Sequence, residues 1–483
     1  MDAKVSLPGR VRPDLLPRIF YVVFLIVTCW LTVYWMTRDM HRYLPKDWAQ
    51  AHEYDGLEDW IAAKYYVDGK NPYSPESLAE LKRIGLGHPP TTSFWYIPFA
   101  RARLEKAVVA EVVDLSGMLM LIIEVFLCAR AVKLPAPLVS TVLLFAWMFT
   151  TDGLALHWHL IQVSTHLAFL LALCWYWLRR GQEIPAGIAL GMAATIKLFP
   201  GVLMLFLLMA RRYRAFAAAA GFYLAVALLM TATYGFAVWP MFLKQQSVIA
   251  NIWIGSVCNA SLQGIFLHIK TPICVANPLG DGTVAIVAAA VGILLLALAA
   301  RVTYQLTKRA RYEDPRLIDV PFSVFSLLAV FLNPWIWEHY YLLLIQPAFV
   351  LAAAALTIFR RSLRDWLDEA GITTRRMVRD SVLAFLVLGG ILAGVLSLNT
   401  NIYAKRRLEE LWRGEPRHPT PWVHLHIHIA EFLNCLPWVT MIVLSFVVAV
   451  WYSFWVRSQQ QGKPAGREPR FEALPQSSAT AVP

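Results

Sequence analysis

The residues able to do chemistry lie in five short stretches, each bordering or breaking an apolar run. The first is Tyr54-Asp55-Gly56-Leu57-Glu58-Asp59-Trp60, followed by Gly69-Lys70-Asn71-Pro72-Tyr73 and His88-Pro89-Pro90. Carboxylates in a loop are usually just solvated. Here they keep company with aromatics, a Pro-Tyr turn and a Pro-Pro pair. That predicts a loop packed down on the membrane, where a carboxylate can serve as a general base. The second stretch is Lys197-Leu198-Phe199-Pro200, a cation at a helix break. A lysine beside freed backbone N–H groups outlines an anion or phosphate site, against the plainer alternative of a lysine snorkelling to an interface. The third is Asn333-Pro334-Trp335-Ile336-Trp337-Glu338-His339-Tyr340-Tyr341. Its tryptophans and tyrosines suit an aromatic belt, whereas Glu338-His339 suits phosphate binding or proton transfer. The fourth, Asn259-Ala260-Ser261-Leu262-Gln263-Gly264, reads as a helix cap at Asn259 or as a substrate contact. The fifth is Gln162, which leads into an apolar run after His157 and His159. Glu111, Asp114 and Glu124 share another run and read as structural polar groups, able to pair with arginines of the bundle.

The elements that position these groups are set by composition. Of 483 residues, 58% are hydrophobic and 16% charged, and the mean hydropathy is +0.51. Soluble domains are about a quarter charged, while each membrane-spanning helix needs roughly 20 apolar residues. The net charge of +12 therefore reflects topology signals and anionic headgroups rather than nucleic acid, which is not an expected partner. Apolar runs fall near 19–36, 108–131, 134–151, 161–178, 184–210, 214–234, 283–300, 319–335, 339–358, 380–398 and 436–456. The run 184–210 is too long for one span and reads as two short segments meeting at Lys197–Pro200. The sum is an all-α polytopic membrane protein with about twelve membrane segments.

Basic clusters follow alternate segments: Arg130/Lys133, Arg179/Arg180, Arg211/Arg212/Arg214, Lys308/Arg309/Arg311, Arg360/Arg361/Arg364 and Arg457. Arg375/Arg376/Arg379 join them. The positive-inside rule then places both termini in the cytosol. It leaves the loops 38–107 and 235–282, the short loop 151–160 and the segment 399–435 outside, with the turn Asn333–His339 facing the same side. Residues 1–18 form a cytosolic N-terminal segment, 19–456 the membrane domain, and 457–483 a disordered cytosolic tail. The run 19–36 reads as an uncleaved first helix, since it is too long for the apolar core of a signal peptide. Cys258 and Cys274 share an outer loop, where a disulfide is open to either answer. No Cys or His spacing matches a zinc site, and His424, His426 and His428 read as interfacial.

Several of these patterns recur together in one known family. Asp55 precedes Trp60, Ala62-Ala63, Gly69 and Asn71-Pro72-Tyr73. His88-Pro89-Pro90 follows. Ile161-Gln162-Val163-Ser164 stands where a Gly-Gln-Val-Asn is expected. Lys197-Leu198-Phe199-Pro200 runs through a Leu-rich stretch to Arg211-Arg212. Asn259-Ala260-Ser261-Leu262 comes next, and last Pro334 with Trp337-Glu338-His339. Over roughly residues 20–360 the chain resembles glycosyltransferase family 87, the polyprenyl-phosphate-mannose-dependent α-mannosyltransferases of GT-C architecture. It departs from the pattern at Ile161 and Ser164, and Glu58 and Asp59 stand close to Asp55 as alternative bases.

The resemblance implies a GT-C-like bundle with the active site on extracytoplasmic loops. Asp55 would be the catalytic base, deprotonating an acceptor hydroxyl as it attacks the anomeric carbon with inversion. Lys197 and His339 would bind the donor phosphate. Asp59, His88, Gln162, Asn259, Gln263 and Glu338 would line the substrate cavity. One carboxylate suffices because a lipid phosphate leaves without needing protonation, unlike the alkoxide of glycoside hydrolysis. No cofactor and no essential metal are expected. The implied partners are a polyprenyl-phosphate sugar donor, a lipid or glycan acceptor and membrane lipids, and the implied location is a bacterial inner membrane, with the protein a monomer. The acceptor, the sugar and the linkage stay open. Two other classes compete: a flippase of lipid-linked sugar, which would show repeat symmetry and polar residues across the midplane, and an O-antigen ligase or polymerase-like enzyme, for which Lys405-Arg406-Arg407 in the segment 399–435 would speak.

Overall fold

The computed structural model describes residues 57–81, 86–133, 161–254, 259–270, 282–309, 316–368, 383 and 435–454. The expected spans near 19–36 and 134–151 lie outside them, as do all of 380–398 but Leu383, most of the segment 399–435, both termini, and Cys258, Cys274, His424, His426 and His428. Among the described residues the chain is helical throughout. Helices α1 (Glu58–Val67), α2 (Pro75–Glu80), α3 (Pro90–Ser93) and α4 (Ile97–Arg101) lie in the segment 38–107, the expected outer loop. After them come α5 (Lys106–Ala131), α6 (Ser164–Arg179), α7 (Glu183–Ile196), α8 (Val202–Met209), α9 (Tyr213–Tyr234) and α10 (Val238–Trp253). The remainder are α11 (Leu262–Lys270), α12 (Gly282–Arg309), α13 (Arg316–Phe331) and α14 (Ile345–Asp368), with α15 (Cys435–Phe454) last.

Among the described residues, five helical stretches are long and apolar enough to cross a membrane: Lys106–Ala131, Tyr213–Tyr234, Gly282–Lys308, His339–Ile358 and Cys435–Phe454. The expected runs at 108–131, 214–234, 283–300, 339–358 and 436–456 coincide with them. The run 184–210 is broken as anticipated into α7 and α8, joined by a 3-10 turn at Phe199–Gly201. Pro200 is the cause. It has no N–H to give, and its ring would strike the carbonyl of the residue four earlier, Ile196, which is where α7 stops.

Small residues set how closely α7 approaches α9. A Cβ added at Gly187 would fall 2.2 Å from the Ala215 carbonyl oxygen, and one at Gly191 would fall 2.8 Å from that of Ala219. The two glycines are one turn apart, as are the two alanines, so α7 and α9 run parallel with their backbones nearly touching. No flexible side chain can yield there. Gly187→Ala is therefore expected to destabilise the protein by about 2 kcal/mol or more, read as a lower midpoint for thermal unfolding in detergent. Gly201→Ala, with nothing within 4 Å of the added Cβ, is the comparison.

The described part of the segment 38–107 is packed against the bundle. Leu57, Trp60 and Ala63 on one side of α1 pack with Tyr96, Ala100, Val109, Val113 and Ile161. Ala62 and Tyr66 on the other side join Tyr73, Leu78 and Leu86 against Val226, Met230, Val238 and Phe242 of α9 and α10. Burial of Leu57, Leu78 and Leu86 contributes about 1.5–3 kcal/mol each. The main core gathers α6, α7, α8, α13, α14 and α15.

At the start of α7, Arg212 bonds Glu183 at 3.2 Å. The end of α6 is tied to α13 by Arg179 and Trp175, which both donate to Asp319, at 3.1 and 2.9 Å. Of the acidic residues in α5, Glu111 is exposed and Asp114 half-buried. Glu124 is fully buried, and neither of its carboxylate oxygens has a hydrogen-bond partner among the described residues. A pairing of Glu124 with an arginine is thus not made within them; Arg179 is paired with Asp319.

Candidate active site

The break after α7 creates the site. Ending the helix at Ile196 leaves its last carbonyls without intrahelical donors. Thr91 Oγ1 donates to the Thr195 carbonyl at 2.8 Å and Thr92 Oγ1 to the Ile196 carbonyl at 2.7 Å. Trp95 Nε1 adds a bond to Thr195 Oγ1 at 3.1 Å. Helix α3 thus caps α7 from outside, and the residue just before Pro89-Pro90 comes with it. That residue is His88, buried beside Lys197.

Local turns fix His88 from its other side. Gly69 has φ +72, a conformation open to glycine at no cost, and it ends α1. Asn71 Oδ1 then accepts the Tyr73 N–H at 3.0 Å, an Asx turn that follows from Asn-Pro-Tyr. Ser74 caps α2, accepting the Ser77 N–H at 3.2 Å, with Pro75 at the first helical position. These turns bring the Tyr73 hydroxyl to the His88 carbonyl, to which it donates at 2.7 Å. Burial pushes the Tyr73 phenol well above its ordinary pKa, so it remains a donor at any working pH. Glu58 Oε2 accepts the Gly87 N–H at 3.3 Å.

Three of the expected residues meet in one hydrogen-bonded chain. His88 Nδ1 lies 2.5 Å from Asp59 Oδ2, and Lys197 Nζ is bonded to His88 Nε2. The Lys197 ammonium also stands 5.4 Å from the centroid of the Tyr340 ring. Tyr340 packs on Phe199 at 5.6 Å and on the buried His339 ring at 4.4 Å. Lys197 and His339, distant in sequence, are therefore joined through one aromatic ring. The Lys197 ammonium has three donors and His88 takes one, so the cation keeps donors for an anion. No cluster of three or more His, Cys, Asp or Glu side chains among the described residues is placed to hold a metal.

The other expected residues sort differently. Asp55 and the side chain of Glu338 lie outside the described residues. Gln162 is buried, and its side-chain oxygen has no hydrogen-bond partner among them. Gln263 is half-buried near the start of α11. Asn259 is not the cap of that helix. The cap is Ser261, whose Oγ accepts the Gly264 N–H at 2.9 Å. Asn259 Nδ2 instead donates to the carbonyls of Ile254 and Pro334, at 3.0 and 2.9 Å. Its Oδ1 accepts the N–H groups of Ser261 and Ile336, both at 3.0 Å. Two donors and two acceptor positions are all a carboxamide has, so Asn259 is filled by backbone and clamps the segment before His339. Asn259→Ala would orphan buried partners on both segments, and a loss of about 3–5 kcal/mol is expected, measurable as faster thermal inactivation. Asn259→Asp would keep the acceptor half but set a carboxylate oxygen against the Ile254 and Pro334 carbonyls, so it is expected to lose at least as much.

Two residues of the site were not singled out in the sequence. Thr91 and Thr92 carry no motif of their own; only their place after Pro89-Pro90, beside a helix broken by proline, could have flagged them. Ile161 shows the reverse case. It adopts φ +50, the left-handed conformation that disfavours a β-branched residue. This is the position where the Gly-Gln-Val-Asn pattern has glycine, and the departure is held in place by complete burial of the side chain.

Fold and site together define a polytopic helical membrane protein with a polar cluster at one end of its bundle, opposite the end that carries Arg179, Glu183 and Arg212. A model of glycosyltransferase family 87 matches residues 87–330, just over half of the chain. The chain belongs to glycosyltransferase family 87. No curated protein matches it. Family membership makes it a membrane glycosyltransferase, acting on a sugar donor and an acceptor. The matched segment holds His88, Gln162, Lys197, Asn259 and Gln263; Asp55 and Asp59 precede it, and Glu338 and His339 follow it.

Proposed function

We propose that this glycosyltransferase takes a hexose, mannose by its family resemblance, from a polyprenyl-phosphate donor and moves it with inversion to a lipid or glycan acceptor. The observation that carries the reading is Lys197. A cation is fixed at a helix break by His88, over the Tyr340 ring, and within one aromatic ring of His339. That is where a lipid phosphate would be held. Lys197 and His339 bind the phosphate, and Asp55 is the general base. Asp59, His88, Gln162, Gln263 and Glu338 belong to the same cavity, with Asn259 holding its wall.

The leaving group explains why one base is enough. A donor phosphodiester carries one negative charge, and the departing phosphate monoester carries a second. Fixed cationic donors stabilise the charge as it develops. They act on the transition state more than on the bound donor, which is what raises turnover. The reaction takes place on the extracytoplasmic face of a bacterial inner membrane, in a monomeric GT-C-like bundle of about twelve segments with both termini in the cytosol. The alternating basic clusters support that orientation, since the end bearing Arg179, Arg211 and Arg212 is opposite the site.

The test is donor class. Membranes carrying the protein are given labelled mannose either as polyprenyl-phosphate mannose or as a nucleotide sugar, with endogenous lipid carrier removed. Transfer from the lipid phosphate alone is expected. Transfer from the nucleotide sugar alone would sink the reading.

A further inference from the structure

We propose that Asp59 and His88 are positioning residues for Lys197: a one-way hydrogen-bond chain from the lysine through the imidazole to the carboxylate aims the ammonium at the donor phosphate. The proposal rests on the phosphate-binding reading of Lys197 and assigns to Asp59 a role other than base or substrate contact.

The bonding leaves one consistent arrangement. An ammonium can only donate and a carboxylate only accept. His88 faces one with each ring nitrogen, Nε2 toward Lys197 and Nδ1 toward Asp59 at 2.5 Å. A neutral imidazole with its proton on Nδ1 satisfies both. The opposite tautomer would set N–H against N–H at Lys197 and lone pair against carboxylate at Asp59. Asp59 therefore selects the tautomer, and the tautomer holds the lysine. The pair is nearly dry, with side chains 7% exposed for His88 and 4% for Asp59. In such surroundings an orphaned group is costly and a satisfied chain is rigid.

The backbone of His88 is held independently, by the Tyr73 hydroxyl at its carbonyl and by the Gly87 N–H to Glu58. Changing Asp59 need not release the loop. On its far side Lys197 rests on Tyr340, so its ammonium is gripped between a lone pair and a ring face, with its remaining donors directed by that grip. The competing explanation is a purely structural tie between the outer loop and the end of α7. It predicts instability without a specific effect on Lys197.

The experiment uses the full-length protein in detergent or nanodiscs, first without substrate. Acylation of Lys197 by acetic anhydride is followed by mass spectrometry in wild type, D59N, H88A and H88Q. Glutamine keeps one donor and one acceptor and stands in for the neutral imidazole. D59N and H88A are expected to raise the labelling rate about fivefold, with H88Q near wild type. Equal labelling across all four overturns the proposal. Should D59N fail to fold, H88Q against H88A carries the same comparison.

Kinetics then supply the second reading. With polyprenyl-phosphate mannose, D59N is expected to lower kcat by about 10- to 100-fold with little change in KM. In a K197A background the same substitution should cost nothing more, because it acts only through the lysine. A full, multiplied loss in that background overturns the proposal. If wild type transfers nothing from any polyprenyl-phosphate sugar, the functional reading fails, and the labelling pattern still decides whether the chain positions Lys197.

Discussion

Lys197→Ala is expected to lower kcat/KM for transfer from a polyprenyl-phosphate sugar by about 100- to 1,000-fold, the range seen when one preorganised donor to a developing anion is removed. Several features of the structure set that expectation. Lys197 terminates α7 in an extended conformation, outside the helix, so alanine removes no helical contact. The ends of α7 and α3 stay joined through Thr91 and Thr92. What disappears is the ammonium between His88 and Tyr340. Lys197→Arg keeps the charge but brings a planar fork to a place shaped for a point donor, and a loss of about tenfold is expected. A lysine that merely snorkels to an interface predicts a change of less than about twofold in both variants. Expression and thermal midpoint near wild type separate the chemical effect from misfolding.

Asp55→Asn is expected to have the other large effect, a fall in kcat of about 1,000-fold. The side chain keeps its size and cannot take a proton. The comparison with its neighbours makes the assignment specific. Glu58 and Asp59 were open as alternative bases, and the structure engages both inside the protein. Glu58 accepts the Gly87 N–H, and Asp59 is bonded to the His88 ring and 3% exposed. Glu58→Gln preserves an acceptor for Gly87 and should change kcat only a few-fold. Asp59→Asn should fall between the two. If Glu58→Gln or Asp59→Asn proved the most damaging of the three while Asp55→Asn stayed active, the base would have to be reassigned.

The sequence was most informative where one residue has one physical consequence. Pro200 ends α7 four residues upstream, and the apolar runs around it could be divided correctly from that fact alone. Asn71-Pro72-Tyr73 is a turn because an Asx side chain and a fixed φ make it one. The density of aromatics in the segment 38–107 is enough to say that it packs, without naming its partners. Long-range pairing was not legible. Nothing local to Arg179 points to Asp319, 140 positions away, and the arginine reads equally well as a topology signal. The threonines that cap α7 come from a helix a hundred residues earlier, and any hydroxyl could have served. Of the two readings open for Asn259, cap or substrate contact, the cap fails for a related reason. Asn and Ser both cap helices, and only the position of Pro334 and Ile336 decides which of Asn259 and Ser261 does so. Bringing Asp59, His88 and Lys197 into one chain needed both the turn at Tyr73 and the break at Pro200. Each was visible alone; their meeting was not.

Single-turnover product analysis decides whether a sugar is transferred from a lipid phosphate with inversion. Purified wild-type protein in nanodiscs is mixed with β-linked polyprenyl-phosphate mannose labelled in the sugar, with a membrane extract as acceptor source. Released polyprenyl phosphate and transferred mannose are counted together, and the anomeric configuration of the product is read by NMR. One polyprenyl phosphate released per mannose transferred, in α linkage, is expected. A β-linked product would contradict the single-base inverting mechanism, and intact donor with no released phosphate would contradict transfer itself.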